Sequence, residues 1–278
     1  MPPTTTARES NAYRLAELRQ AVKPFRLHFF TTLRSTSDHA AAMRRRGDLY
    51  APAIVLAARQ TAGRGRGTNT WFSAAGSITA TFVLPVNATL APHHLPLAAG
   101  LAVRDAAAEV AGNPDVRLKW PNDLVYATPT GKHGRGALPP FQKLAGLLCE
   151  RLDQVDLIGL GLNVNPPAKR LPADLAPRVT FLQNLVPPDT GHLDLTTVLA
   201  TVARHLHRLL IRQTDTPFPT VLRQYDLHHA LVGRSLAVYA TAEPPVVGRC
   251  EGLDSTGRLL VRTKAGVRKI IAGHVELR

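Results

Sequence analysis

Two strand-like segments joined by a loop rich in glycine and arginine constrain this chain more than any other feature. Ala53 to Ala58 (AIVLAA) is an unbroken apolar run of strand length and reads as a buried strand. Gly76 to Leu84 alternates, with Ile78, Ala80, Phe82 and Leu84 on one face and Ser77, Thr79 and Thr81 on the other. Between them lies QTAGRGRGTNTWFSAAG, Gln60 to Gly76, in which Gly63, Gly65 and Gly67 alternate with Arg64 and Arg66. Glycine lets backbone N–H groups approach a ligand closely, and guanidinium forks neutralise phosphate or carboxylate oxygens. Ordering glycine costs entropy, so the loop is expected to be mobile until a ligand closes it. An RG-type nucleic-acid segment or a flexible solvated loop fits the same residues equally well. The loop is neither GxxxxGK followed by Ser or Thr, nor a GxGxxG that opens a helix, which argues against a standard NTPase or dehydrogenase.

The flanking pattern is that of an α+β protein: a mixed β-sheet with covering helices. RLHFFTT, Arg26 to Thr32, reads as a strand, and Ser35 and Thr36 offer N-cap hydroxyls to a helix running to Gly47. A helix is expected over His93 to Ala111, ended by Gly112, followed by the strand candidates VRLKW, KLAGLLCE and VDLIGLGLNV. Leu195, Val198, Leu199, Val202, Leu206, Leu209 and Leu210 recur with helical spacing and predict a stripe packed on the sheet. From about Leu231 the texture changes to short strands with glycine turns, which predicts a small β-barrel or sheet. The expected organisation is an N-terminal extension over 1–25 with one short helix, a main domain over 26–230 and a small β domain over 231–278.

The chain has 278 residues, 45% of them hydrophobic, enough for a sizeable core. Its two cysteines, Cys149 and Cys250, are too few for a disulfide framework, and no CxxC or HExxH spacing occurs, so a reducing compartment without a structural metal is expected. No secretory leader and no apolar stretch of membrane-spanning length is visible, so the expected location is cytoplasmic, with no membrane partner. The net charge of +14 implies attraction to something anionic without choosing among nucleic acid, nucleotide, membrane or acidic protein. Aromatic residues are only 5% and do not interleave with the cations as a single-strand-binding platform requires.

Three further segments carry candidate chemistry. In Lys119-Trp120-Pro121-Asn122-Asp123 a cation, an amide and a carboxylate follow a strand at a proline turn. There Lys119 suits a phosphate and Asp123 suits Mg²⁺, directly or through water. Taken alone, the pentapeptide fits an ordinary strand exit with solvated charges better. Lys143 begins the apolar KLAGLLCE, with Gly146 three residues on; it points into a site or out to solvent, and without the other motifs solvent is the better reading. In Gly159-Leu-Gly-Leu-Asn-Val-Asn165 the glycines leave room for a close neighbour and Asn163 is nearly buried, as a glycine-thinned core strand would also be.

Taken in order, Ser35 to Asn165 closely resembles the catalytic domain of biotin protein ligases, with patterns STN, GRGRxGRxW, KWPND, KxxGxLxE and GxGxN. The segment after Leu231 resembles that family's SH3-like C-terminal domain, the terminal GHVELR standing near its usual ending. The resemblance implies an enzyme that activates biotin with ATP and Mg²⁺ as biotinyl-5'-AMP and transfers it to one lysine of a biotin carboxyl carrier domain. It implies that Ser35, Thr36 and Gln60 bond the ureido ring. Gly63, Arg64, Gly65 and Arg66 would close over the adenylate, and Trp71 would stack near adenine. Lys119, Asn122 and Asp123 would serve the nucleotide, with Asp123 toward the metal, while Gly146 and Asn163 line the site. Lys143, with Arg64, would be catalytic, Lys143 offsetting the charge of two approaching anions.

The chain departs from these patterns at three places: Ser37 stands for asparagine, Thr68 and Asn69 replace a glycine and a third arginine, and a long basic stretch, Thr128 to Gln142, follows Asp123. A solvated surface insertion accounts for that stretch more simply than an acceptor contact through Lys132, His133 and Arg135. About 25 residues precede the first strand, so no DNA-binding domain and no sequence-specific nucleic acid is expected. The resemblance allows a monomer or a homodimer. A lipoate protein ligase is the enzymatic alternative, and a basic nucleic-acid-binding module the alternative of another class.

Overall fold

The computed structural model describes residues 12–112, 115–127, 141–212, 216–240 and 244–278. Helix α1 (Leu15–Ala21) precedes strand β1 (Arg26–Leu33), helix α2 (Thr36–Arg45) and strand β2 (Ala53–Gln60). A two-residue ribbon, β3 (Gly63–Arg64) and β4 (Thr70–Trp71), leads to β5 (Ser77–Pro85), helix α3 (Leu95–Ala111), β6 (Val116–Lys119) and β7 (Asp123–Ala127). Then come β8 (Phe141–Leu152), β9 (Val155–Asn163), α4 (Leu195–His207) and α5 (Phe218–Leu227). The chain ends with β10 (Ser235–Tyr239), β11 (Val246–Leu253), β12 (Leu259–Thr263), β13 (Gly266–Ile270) and β14 (His274–Leu277).

The first nine strands, without the β3/β4 ribbon, form a mixed sheet of order β1-β2-β5-β9-β8-β7-β6, in which only β1 and β2 are parallel. Alternation assigns its faces. Ile54, Leu56, Ile78, Ala80, Phe82, Leu84, Ile158, Leu160 and Leu162 join one core beneath α3 and α4. On the opposite face Ala53, Val55, Val83 and Leu157 pack with Ala40 and Met43 of α2. The Leu/Val stripe of α4 is buried as its spacing predicts, and each such side chain contributes about 1.5–3 kcal/mol. Asp194 caps α4 by accepting from the amides of Thr196 and Thr197. Helix α3 ends at Gly112, whose φ of 59° is the left-handed conformation a glycine cap adopts. Leu18 of α1 and the adjacent Val22 and Phe25 are buried in the main core, as expected of a packed extension.

The remaining five strands form an antiparallel sheet of order β13-β12-β11-β10-β14. Strand β7 and helix α5 are elements the sequence reading missed. In β7 the short DLVYA sits between a proline turn and the basic stretch, and α5 is brief and begins at a Phe-Pro pair. Most of that basic stretch, including Lys132, His133 and Arg135, lies outside the described residues. Among the described residues no helix is long and apolar enough to cross a membrane.

Candidate active site

The site lies on the α2 face of the sheet, where short side chains replace the apolar layer. Ser35 is the N-cap of α2, its Oγ accepting from the Asp38 amide at 3.3 Å, and Ser35, Thr36 and Ser37 are all buried. The Thr36 amide donates to Gln60 Oε1 at 2.6 Å, which ties the first turn of α2 to the end of β2. Beneath them, Gly159 and Gly161 of β9 pair with Thr81 and Thr79 of β5. A Cβ on Gly159 would stand 2.6 Å from Ser37 Oγ, and one on Gly161 2.2 Å from the Trp71 indole. The two glycines of GLGLN thus make the floor on which a hydroxyl and an aromatic ring rest.

The Gly/Arg loop forms a hairpin. Gly63 pairs with Trp71 and Arg64 with Thr70. The Gly65 amide donates to the Asn69 carbonyl at 2.8 Å, and the Asn69 amide and side chain both donate to the Arg66 carbonyl. Asn69, standing where the resembling pattern has arginine, therefore closes the turn. The two arginines face different ways. Arg64 donates to Asp38 and, at 2.9 Å, to Glu150, and these bonds raise its pKa. Arg66 donates to Asn122 Oδ1 at 3.5 Å and to the Gly273 carbonyl at 3.4 Å; burial lowers its pKa against the opposing pull of Asp123. The Trp71 Nε1 is buried with no hydrogen-bond partner among the described residues, and Lys143 Nζ lies 5.8 Å from the ring.

Lys143 and Gly146 lie three apart in β8, a spacing that in a regular strand puts them on opposite faces. Leu124 pairs with Ala145 and Val125 with Lys143, so Leu144 is an extra residue, and this bulge returns Lys143 and Gly146 to one face. Lys143 Nζ meets Asp123 Oδ1 at 2.7 Å. A Cβ on Gly146 would come within 3.0 Å of Lys143 Cε and Nζ and 3.4 Å of Asp123 Oδ1. Burial pushes the Lys119 pKa down; Asp123 opposes this, Lys143 adds to it and Glu276 opposes it. Asn122 donates to the Leu147 carbonyl at 2.7 Å, fixing the KWPND turn on β8. Asn163 is turned to the backbone: its amide donates to the Lys143 carbonyl at 3.3 Å and its Oδ1 accepts from Ser77 Oγ at 3.4 Å.

Apart from Gly63 and Asn163, every residue singled out as a site candidate lines one cavity of about 960 Å³, within the range of small-molecule sites. Residues the sequence reading did not foresee also line it: Tyr239, Ile271, Gly273 and His274 from the C-terminal sheet, and Arg178 from the segment after β9. Nor did it foresee Asp38 and Glu150 as partners of Arg64. The glycine before the terminal HVEL was the one available signal, since a chain end carries no pattern that says where it docks.

A family profile described as Biotin/lipoate A/B protein ligase family matches residues 29–165, and a second, Biotin protein ligase C terminal domain, matches 238–278. The biotin–(acetyl-CoA-carboxylase) ligase of Paracoccus denitrificans is 32% identical over 254 residues, covering 87% of this chain and 97% of that one. The enzyme of the same name from Mycobacterium tuberculosis is 29% identical over 232 residues, covering 80% of this chain and 77% of that one. The solved structure of biotin protein ligase from Aquifex aeolicus in complex with biotin and ATP is similar with a TM-score of 0.75 and 25% identity, covering 91% of this chain and 98% of that one. The mixed sheet, its C-terminal β domain and these matches make the protein a biotin/lipoate-type ligase, and the chain belongs to the biotin protein ligase family.

Proposed function

We propose that this protein is an ATP-dependent ligase that converts biotin to biotinyl-5'-AMP and passes the biotinyl group to one lysine of a biotin carboxyl carrier domain. The observation that carries this reading is the Lys143–Asp123 pair at 2.7 Å, in one cavity with the hydroxyl residues Ser35 and Thr36 and with Arg66 and Asn122. In the first step a biotin carboxylate oxygen forms a bond to the α-phosphorus of ATP while the bond to pyrophosphate breaks. Two anions must meet, so a cation at the junction lowers the barrier more than a base would. Lys143 supplies that cation and Lys119 a second one toward the phosphates. In the second step the acceptor lysine, as a free amine, bonds to the acyl carbon; AMP leaves and the amine nitrogen gives up a proton.

Arg66, with its guanidinium on Asn122, closes the hairpin over the adenylate, and Arg64 holds the hairpin to α2 and β8 through Asp38 and Glu150. Ser35, Thr36 and Gln60 receive the ureido ring, and the Trp71 ring on Gly161 borders biotin and adenine. Asn163 acts by holding the Lys143 backbone. Asp123 fits Mg²⁺ that arrives with the phosphates: it offers one carboxylate, and among the described residues no cluster of three or more His, Cys, Asp or Glu offers a protein-only cage. Bound Mg²⁺ would neutralise phosphate charge. We divide the chain into an extension over 1–25, the catalytic domain over 26–230 and an SH3-like domain over 231–278. A cytoplasmic, cationic enzyme suits an acidic carrier, reached by electrostatic steering.

The test is biotin-dependent exchange of labelled pyrophosphate into ATP, with lipoate offered in parallel. Exchange with biotin is expected; exchange only with lipoate moves the assignment to that substrate, and exchange with neither overturns it.

A further inference from the structure

Behind the hydroxyl end lies a residue that no motif marks. Thr81 is fully buried in β5, in register with Val55 of β2 and Gly159 of β9. Its hydroxyl donates to Thr36 Oγ1 at 2.9 Å and lies 3.1 Å from Ser37 Oγ. A hydroxyl has one proton to give. Since Thr81 gives its proton to Thr36, Ser37 must be the donor to Thr81, and donation runs from Ser37 through Thr81 to Thr36. Thr36 is thereby supplied from behind, and its own proton has no acceptor among the described residues. The neighbours show the same polarity. Ser35 Oγ accepts from the Asp38 amide and Gln60 Oε1 from the Thr36 amide, which leaves the Ser35 proton and the Gln60 Nε2 hydrogens for the cavity.

We propose that Thr81 is a specificity-determining positioning residue: by donating to Thr36 it turns that hydroxyl's proton into the cavity, so this end of the site selects a ligand oxygen that can only accept. The inference rests on the biotin reading above, in which that oxygen is the ureido carbonyl. It gives Ser37 a role as head of the relay. Ser37 Oγ occupies the space a side chain on Gly159 would fill, and chained donors polarise one another, so the serine strengthens the Thr36 donor from two bonds away.

Thr81→Val removes the hydroxyl and keeps a β-branched shape that suits a buried strand; Thr81→Ser keeps the hydroxyl. Both are compared with the unsubstituted protein in the pyrophosphate exchange assay. The probes are biotin and 2-iminobiotin, whose guanidinium at neutral pH offers only donors where biotin has its carbonyl oxygen. The expected result is a biotin KM raised roughly tenfold in Thr81→Val, with the preference for biotin over 2-iminobiotin reduced by a similar factor and with Thr81→Ser close to the unsubstituted protein. A merely structural role would weaken both ligands alike and leave their ratio intact, and that outcome would overturn the proposal. Should Thr81→Val fail to fold, Ser37→Ala breaks the relay one residue earlier. It is expected to narrow the same ratio by less, and an unaltered ratio there overturns the proposal as well. Absence of biotin-dependent exchange in the unsubstituted protein would overturn the biotin reading itself, a result distinct from exchange with an unchanged ratio in the variants.

Discussion

The ammonium of Lys143 stands 2.7 Å from the carboxylate of Asp123, in space that the absent side chain of Gly146 leaves open. On the proposed reading, the carboxylate balances the cation until the anions of biotin and ATP compete for it, and the pair would hold the lysine in place without a separate ordering step.

Lys143→Ala is therefore expected to lower the rate of biotin-dependent pyrophosphate exchange by roughly a hundred- to a thousandfold while leaving the thermal unfolding midpoint nearly unchanged. Gly146→Ala should lower it roughly tenfold, because the new Cβ displaces a flexible lysine tip and not backbone. Exchange by Gly146→Ala at the unsubstituted rate would show that the pair tolerates displacement.

Gly161→Ala places a Cβ 2.2 Å from the Trp71 indole, a distance no real contact reaches, so the ring must leave the floor. Trp71 is one of two tryptophans in the chain, and the other, Trp120, is only 2% exposed. The variant is expected to show red-shifted tryptophan emission and strongly weakened exchange. Unchanged emission would mean that the ring had stayed in place.

Trp120 Nε1 of the KWPND turn donates to the Gly257 carbonyl, in a turn of the C-terminal sheet, at 3.2 Å, and Gly257 stands at φ +79°, where a Cβ would meet Leu97 and Phe218. Burial alone would raise the Asp254 pKa, but hydrogen bonds from Arg258 and Thr256 within the turn that carries Gly257 outweigh it and hold that carboxyl at about 2. Trp120→Phe should cost about 1 kcal/mol of stability and raise the KM for ATP more than that for biotin. Gly257→Ala should cost more, since a side chain there is strained and meets Leu97 at 2.7 Å. Chemical denaturation together with KM measurements checks both.

Acid should destabilise the fold in a defined window. Burial, with a smaller effect of His93, lowers the His94 pKa to about 4, and burial lowers that of His229 to about 3. Both are favoured neutral in the fold and take up protons more readily when unfolded, near 6.5. Their stabilising effect is therefore complete above about pH 6.5 and is lost as pH falls toward 4 and then 3. The unfolding midpoint, measured from pH 7 to pH 4, is expected to fall steadily, and His229→Leu should flatten the slope.

Much of the fold could be read from neighbouring residues. The alternation in β5, the stripe of α4 and the Gly112 cap depend on sequence spacing alone, and the structure bears them out. The hairpin β6–β7 escaped because a five-residue strand beside a proline turn carries too little periodicity. The contacts of the Gly/Arg loop were not legible either: it is tied by Asn69 and by Arg64, whose carboxylate partners lie 26 and 86 residues away in the chain.

The candidate site's chemical groups are legible in the chain: the hydroxyls of Ser35 and Thr36, the Arg/Gly segment, Lys119 and Asp123, Lys143 and the glycines of GLGLN. How they are brought together is not. The Leu144 bulge turns Lys143 onto the face of Gly146, the register of β5 on β9 places Thr81 behind Thr36, and the last strands bring Gly273 to Arg66. The physical reason is that periodicity, caps and turns arise from contacts between residues close in sequence. A bulge, a register or a donor's direction is fixed by packing between segments far apart, and no local pattern records it.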